Sequence, residues 1–353
     1  MKLFLVGVLG FASVCQLHAT LDFYDSFNYA STGVALTNAA PSIWVPYTGG
    51  LTGGVTNNAG SLSYPGLQTA SGDNSVVFSG TAPSAGVDAH SLSQLYNSNN
   101  VTTLYYSLTF KVTFITTNDW GNSPANYTGG SFMMGFNQKL TNGSTLAQGD
   151  AAAPVLIRTG DPFNADTNVA NNFQGYQLGT GVTAATAART YDASHSYTTN
   201  DTLFLVLSYT FNSGATNDVA KLYVNPVPGS LESANTPVVT AVGTNVNNSQ
   251  VQSFFLRNNS VEPGVTQIDD LRVGTTWADV TPVSSPTLRI EKALPNVLIS
   301  WPTNNNTGFL LESNAVINTT NWGTVPNTVG TVGDRFYVTN DASIGNLFFR
   351  LRK

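Results

Sequence analysis

Charge is the scarcest property of this chain. Only 10% of its 353 residues are Asp, Glu, Lys or Arg, against about 25% in an ordinary soluble domain. Its polar surface must therefore be built from Asn, Thr, Ser and Gly. The charge that is present is mostly acidic, giving a net charge of -6 and a pI near 4.9. This argues against a nucleic-acid partner, which needs a basic face to neutralise phosphates, and equally against anionic membrane surfaces. Cysteine occurs once, at Cys15, so disulfides do not staple the fold and a large core must hold it.

Catalytic side chains are also few. The four glutamates are Glu232, Glu262, Glu291 and Glu312, so the first 231 residues contain none. A glycosidase needs two carboxylates facing each other across a cleft, and no aspartates are paired at two-residue spacing on a core strand. The histidines are His18, His90 and His195, and no G-x-S-x-G elbow accompanies them, which argues against a Ser/His/Asp hydrolase. A lyase would want a Tyr/His/Arg constellation, which Tyr176 and Gln177 beside Phe173 match only in residue type. Zinc has no Cys/His cluster to hold it. The residues point away from an enzyme.

What is there begins with a leader. Lys2 precedes an apolar run from Leu3 to Val14 and then Leu17-His18-Ala19. That is the layout of a secretory signal cleaved after Ala19, over residues 1–19. The run is too short to span a bilayer, and no later segment is long and apolar enough to do so. Lipidation of Cys15 would follow poorly from Val14 before it. An exported chain without cysteine is expected, secreted or at the cell surface.

Hydrophobic residues make up 41%, with 19 Phe and 14 Tyr, and helical periodicity never persists beyond a turn or two. Strand signals dominate. In Leu104 to Phe114 the residues Leu108, Phe110, Val112 and Phe114 alternate with polar neighbours, as in an antiparallel sandwich sheet with one wet face. Leu203 to Phe211 is apolar on both faces and reads as a central strand, forming a hairpin with Val219 to Val224. Short strands are predicted at 132–136, 154–158, 173–178 and 253–257. Thr266 to Val280 is predicted to be one strand, with Leu271, Val273 and Trp277 on one side and Ile268, Asp270 and Arg272 on the other. Its partner is Leu21 to Tyr29. The run 281–286 is a linker by composition, after which strand signals restart in a small β module over 287–353. The fold class is all-β.

Three pieces of sequence carry a resemblance: YDSFNY near the start, DVAKLYVNP at Asp218 to Pro226, and IDDLRVGTTWADV at Ile268 to Val280. They resemble the laminin-G-like, concanavalin A-like jelly-roll domains of large secreted bacterial proteins, over residues 20–280. The tail resembles a short module that often follows such domains, through ISWPTN, GFLLES, TNWGTVP and FFRLRK. The resemblance implies a two-sheet antiparallel jelly-roll sandwich; the small second β domain after it is expected to serve attachment or secretion, because its basic end, Arg350-Leu351-Arg352-Lys353, terminates a strand and not a loop. The resemblance also implies carbohydrate or surface recognition, sometimes with Ca2+.

Two sets of candidate residues follow. Sugars stack on exposed aromatics beside amide donors. Trp120, Asn126 and Tyr127 in one predicted loop, and Phe173 and Tyr176 in another, have that character. The alternative is that these rings fold back to cap the sandwich. By parity Asp25 and Asp269 both lean towards the core, where an unsatisfied carboxylate is costly. They would either accept local hydrogen bonds or hold structural Ca2+, and hydrogen bonding weighs more because two Asp supply too few oxygens. Asp270 and Arg272 are expected to be solvated. The expected function is non-catalytic recognition of polysaccharide or another cell-surface component. A structural or adhesive surface protein is the alternative, and an unrecognised glycan-active enzyme comes third.

Overall fold

The computed structural model describes residues 21–47, 55–70, 74–79, 86–114, 130–139, 146–159, 175–199, 201–212, 217–243, 248–258, 265–284, 286–293, 295–303, 309–318, 320–341 and 347–352. The first sixteen strands are β1 (Leu21–Asp25), β2 (Val34–Ala35), β3 (Val45–Pro46), β4 (Thr56–Ala59), β5 (Asn74–Phe78), β6 (Gly86–Tyr96), β7 (Thr103–Phe114) and β8 (Ser131–Asn137), followed by β9 (Ala151–Thr159), β10 (Tyr176–Thr180), β11 (Thr190–Tyr191), β12 (Leu203–Thr210), β13 (Val219–Val224), β14 (Val239–Val242), β15 (Val251–Asn258) and β16 (Val265–Gly274). They form two large antiparallel sheets. Sheet A runs β14-β13-β12-β7-β16-β5-β4-β2, with β1 also on β16, and sheet B runs β11-β10-β9-β8-β15-β6-β3. The chain is all-β, as its patterning demands.

The sheets pack face to face as a sandwich. Leu108, Phe110, Leu205, Leu207 and Ile268 of sheet A share one buried cluster with Met134, Phe136, Ile157, Leu178 and Phe254 of sheet B. Tyr106 joins the layers: its ring meets Phe136 and Phe254 edge-on at 4.9 Å, and its hydroxyl donates to Ala153 O at 2.6 Å. Each such buried apolar side chain contributes roughly 1.5–3 kcal/mol. The two central strands were legible because β7 alternates and β12 is apolar throughout. The β12–β13 hairpin forms as expected, and β1 pairs antiparallel with β16, joining the start of the described chain to its closing strand.

The predicted closing strand differs in two ways. It ends at Gly274, and Trp277–Val280 is a single helical turn, α2, capped by Thr276; a first turn, α1, lies at Leu36–Ala39. Within β16 the register against β7 shifts between Asp269 and Arg272, and Asp270 adopts φ 54°. This bulge inserts one residue and reverses the parity of everything before it. Ile268, Leu271 and Val273 therefore all reach the inter-sheet core, while Trp277 lies on the outer face of sheet A with Tyr105, Phe204 and Tyr223.

That outer face is roofed by the chain itself. Leu67 bridges Val283, Gln68 N donates to Pro282 O at 2.9 Å, and Ser284 N donates to Gly66 O at 3.0 Å. The linker composition of 281–286 thus begins in hydrogen-bonded backbone. The roof also buries Asp270 (0% exposed) and Arg272 (3%), which corrects the expectation that both are solvated. Arg272 Nη2 lies 3.5 Å from Asp270 Oδ1 and donates to Gln68 O.

Beyond residue 286 the remaining strands are β17 (Arg289–Ala293), β18 (Asn296–Pro302), β19 (Leu310–Asn314), β20 (Gly323–Thr324), β21 (Gly330–Val332), β22 (Arg335–Asp341) and β23 (Phe348–Arg352). They make two smaller sheets, β17-β18-β22-β21 and β20-β19-β23. Ile299, Trp301, Leu311, Val325 and Val338 form their core.

Candidate ligand-binding face

Trp120, Asn126, Tyr127 and Phe173 lie outside the described residues. Tyr176 is described, and it is a core residue. It is 0% exposed on β10, with its ring 6.2 Å from that of Phe110 and 5.9 Å from that of Tyr197. A ring in that position has no face to offer a sugar in solution.

The two candidate calcium ligands are not brought together. Asp25 faces the inter-sheet core opposite Leu271. Its carboxylate accepts from Phe27 N at 2.7 Å, Tyr29 Oη at 2.5 Å and Trp44 Nε1 at 2.7 Å. Burial nonetheless raises its pKa, against the pull of those donors. Asp269 pairs with Thr109 on the other side of the bulge and so faces the roof. It accepts from Leu62 N at 2.8 Å and Asp270 N at 2.7 Å. The bulge defeats the parity argument that placed both on the core side, and local hydrogen bonds satisfy each carboxylate. Among the described residues no three His, Cys, Asp or Glu side chains lie close enough to hold a metal ion.

The outer face of sheet B assembles a different group. Leu156, Phe132, Phe255, Val87 and Ala89 face outwards from β9, β8, β15 and β6 and form a second small core with Tyr47, Leu146 and Ala184. Arg158 shares the parity of Leu156, and Arg257 that of Phe255, so both lie along this core with apolar stems against it and guanidinium groups reaching water. Both are partly exposed. The Arg257 guanidinium covers the Phe132 ring at 4.2 Å and donates to Phe132 O at 2.9 Å. The Arg158 guanidinium covers the Tyr191 ring at 4.2 Å, and its Nε donates to Gln177 Oε1 at 2.7 Å. Gln177 lies directly opposite Arg158, and its amide is fixed in turn by Asp192 O at 2.9 Å.

Tyr191 is the centre of this group, and two glycines make room for it. It lies opposite Gly179 on β10, where a Cβ would meet the ring, and its hydroxyl fills the space a Cβ on Gly130 would take. Gly130 has φ +57°, a conformation other residues adopt at a cost. Arg189 completes the group, donating from Nη1 to Gly130 O at 2.7 Å and from Nε to Ala184 O at 3.0 Å. Burial raises the Tyr191 pKa, and the charges of Arg189 and Arg158 pull it back down. Burial likewise lowers the Arg158 pKa. Across sheet B the face therefore reads Tyr191 and Arg189, Gln177, Arg158, Phe132, Arg257. It gathers planar guanidinium groups and aromatic rings on one partly exposed face.

Of these residues the sequence drew attention to Gln177 alone, as a weak lyase match beside Tyr176, and not to this face. The available signal was an arginine at the end of the apolar run Ala151 to Ile157 and a glutamine between Tyr176 and Leu178. The pairing that joins Arg158 to Tyr191 through β10 could not be read from either segment alone.

Comparison with known proteins gives little. No family model matches the chain, and no curated protein does. Among solved structures, it is distantly similar to the binding domain of Paraclostridial Mosquitocidal Protein 1, at 10% identity and a TM-score of 0.29, covering 82% of this chain and 72% of that one. It is also similar to the catalytic domain of the glycoside hydrolase family 131 protein from Coprinopsis cinerea, at 10% identity and a TM-score of 0.27, covering 73% and 85%. Likenesses this distant carry no argument about function. Among the described residues no helix is long and apolar enough to cross a membrane.

Proposed function

We propose that this protein is exported and acts outside the cell as a non-catalytic recognition protein of the concanavalin-like jelly-roll kind, binding polysaccharide or another surface component. The observation that supports this is the outer face of sheet B. There Tyr191, Gln177 and Arg158 form one hydrogen-bonded and stacked group on rigid strands. Sugar recognition uses such groups: planar surface for stacking and fixed polar side chains for hydroxyls. The same face has no pair of carboxylates among its described residues, and general acid/base cleavage of a glycosidic bond requires one.

The test is retention of the mature chain, residues 20–353, on insoluble polysaccharides and on a glycan array, with and without a chelator. Selective retention that survives the chelator is expected, because Asp25 and Asp269 face opposite sides of sheet A. Release of soluble sugar fragments would overturn the non-catalytic reading.

A structural or adhesive role is the second reading, and one observation favours it. Ile290, Leu310, Val316, Ile317, Val329, Val332 and Phe348 are exposed large apolar side chains beyond residue 286. Such a surface suits protein contacts better than a sugar. Folded protein that is retained by no polysaccharide would move the conclusion there.

A further inference from the structure

We infer that this protein pairs with a second copy of itself through β17, antiparallel and centred on Ile290, joining the two β17-β18-β22-β21 sheets into one across a two-fold axis. The starting point is an edge left open. Among the described residues β17 pairs with β18 alone, and all five of its residues, Arg289-Ile290-Glu291-Lys292-Ala293, are exposed. The N–H and C=O groups on its outer side are a template for another strand.

Ile290 shows where that strand would lie. It stands opposite Ile299 on β18, so the two side chains share one side of the sheet. Ile299 is 0% exposed, in a core with Trp301 and Val338, while Ile290 on the same side is 55% exposed. The apolar face thus runs to the end of the sheet and stops for want of a next strand. A second β17 would set another Ile290 against the first and carry that face on.

The charges choose the partner and the register. Charge on an edge strand normally guards it against pairing, but here the guard is complementary to itself. With Ile290 opposite Ile290, Arg289 of each copy faces Glu291 of the other, on both sides of the axis. Arg289 Nη2 already lies 2.6 Å from Glu291 Oε1 within one chain, so the two pairs would close into one network of four charges. Centring the pairing on Glu291 sets Glu291 against Glu291, and centring it between Ile290 and Glu291 sets Arg289 against Lys292. Like charges directly opposite are destabilising. Centring it between Glu291 and Lys292 matches charge but leaves Ile290 facing the small Ala293. Five residues a side fall short of the roughly 800 Å² per partner of a stable complex, so the association is reversible and counts where copies stand close together. An isologous pair of this kind also closes at two copies.

The experiment is sedimentation velocity of the mature chain, residues 20–353, from micromolar to millimolar concentration at low and high salt. A monomer–dimer equilibrium weakened by salt is expected. Glu291→Arg places Arg opposite Arg and should weaken it roughly tenfold or more; Arg289→Glu should do the same. The exchanged variant Arg289→Glu/Glu291→Arg should restore dimerisation, with the thermal transition kept in all three. Residues 20–353 hold no cysteine, so Ile290→Cys should cross-link two copies on mild oxidation, since residues facing each other at the axis are within disulfide reach. Ala293→Cys should not, because each residue 293 would face residue 287 of the other copy, leaving the two cysteines about 20 Å apart. A chain that stays monomeric throughout would overturn the inference. So would a dimer indifferent to Glu291→Arg, an exchanged variant that fails to restore it, or equal cross-linking by the two cysteine variants. The polysaccharide reading does not depend on any of these outcomes.

Discussion

Arg272 and Arg158 each lie across a tyrosine ring on the outer face of a large sheet, 4.3 Å above Tyr24 and 4.2 Å above Tyr191. Everything around them differs. Arg272 is 3% exposed, 3.5 Å from the Asp270 carboxylate, beneath a roof made by residues 62–70 and 281–284. Arg158 is partly exposed and is held by a neutral amide. Burial lowers the pKa of both; for Arg272 neighbouring carboxylates, Asp270 before Asp269, pull it back, and for Arg158 the Tyr191 hydroxyl does. One stacked cation lies beneath the chain's own roof, and the other reaches the surface. The covering of a face, more than the residues on it, separates a structural site from a binding one.

Breaking the covered side should have the largest effect. Asp270→Ala leaves the Arg272 charge buried without its carboxylate, and also removes the acceptor of Tyr24 Oη at 2.7 Å and of Ala70 N at 3.3 Å. A loss of about 3–5 kcal/mol is expected for removing one partner of a buried pair, read as a lower midpoint in urea unfolding. Replacing both partners together, Asp270→Leu with Arg272→Met, should cost less than the sum of the single changes. Additive costs would show that the two charges do not depend on each other.

Sheet B has a buried charge of its own on the inner side, and its treatment sharpens the contrast. Asp88 is wholly buried and accepts a bond from Val55 N at 3.1 Å, and among the described residues its Oδ1 has no hydrogen-bond partner. Burial pushes its pKa from 3.8 up to about 7, and the Val55 bond only partly offsets this. Because the folded state holds this proton more tightly, the contribution is present below pH 3.8 and is lost as pH rises through about 7. Relative to Asp88→Asn, wild type should therefore lose up to roughly 4 kcal/mol between pH 4 and pH 8. Parallel stability–pH curves for the two proteins would rule this out.

The fold was legible where strands follow period two without interruption. Leu108, Phe110 and Val112, the apolar run Leu203 to Leu207, and the Val219 to Val224 hairpin all landed in the sheets expected. Asp269 and Trp277 were misplaced for one physical reason: the bulge at Asp270 and the turn after Gly274 each reset the parity that a strand reading carries forward. The site was less legible still. Tyr191 sits in a two-residue strand with no pattern of its own, and its neighbours Arg158 and Gln177 come from strands that only the tertiary pairing aligns. Gly130 and Gly179 look like loop and strand glycines in sequence, and their need for a missing side chain appears only once Tyr191 is beside them.

Filling that space tests whether the glycines serve Tyr191. Gly130→Ala places a Cβ where the Tyr191 hydroxyl lies and puts a non-glycine residue at φ +57°. Together these should cost about 1–3 kcal/mol. The measurement is urea unfolding of Gly130→Ala in the wild-type and Tyr191→Phe backgrounds. If the hydroxyl is the obstacle, Tyr191→Phe recovers part of the loss, and an equal loss in both backgrounds assigns the cost to the backbone alone.

The smallest stability effect is expected on the open face, and it decides the comparison. Among the described contacts, Arg158→Gln removes a cation–π contact and a hydrogen bond from a partly exposed position, where such contacts contribute about 0.5–1 kcal/mol. The side chain's apolar stem, which covers part of the Tyr191 ring, is largely kept by glutamine. Arg272→Gln makes the same change beneath the roof and strands Asp270, so its cost should be about 3–5 kcal/mol. The two variants carry the same substitution on the outer faces of the two sheets. If both unfold at the same urea concentration, burial does not separate the two stacked arginines and the outer face of sheet B is as structural as that of sheet A. If Arg158→Gln unfolds like wild type while Arg272→Gln does not, Arg158 is a cation whose stacked position on the second sheet the fold itself does not require.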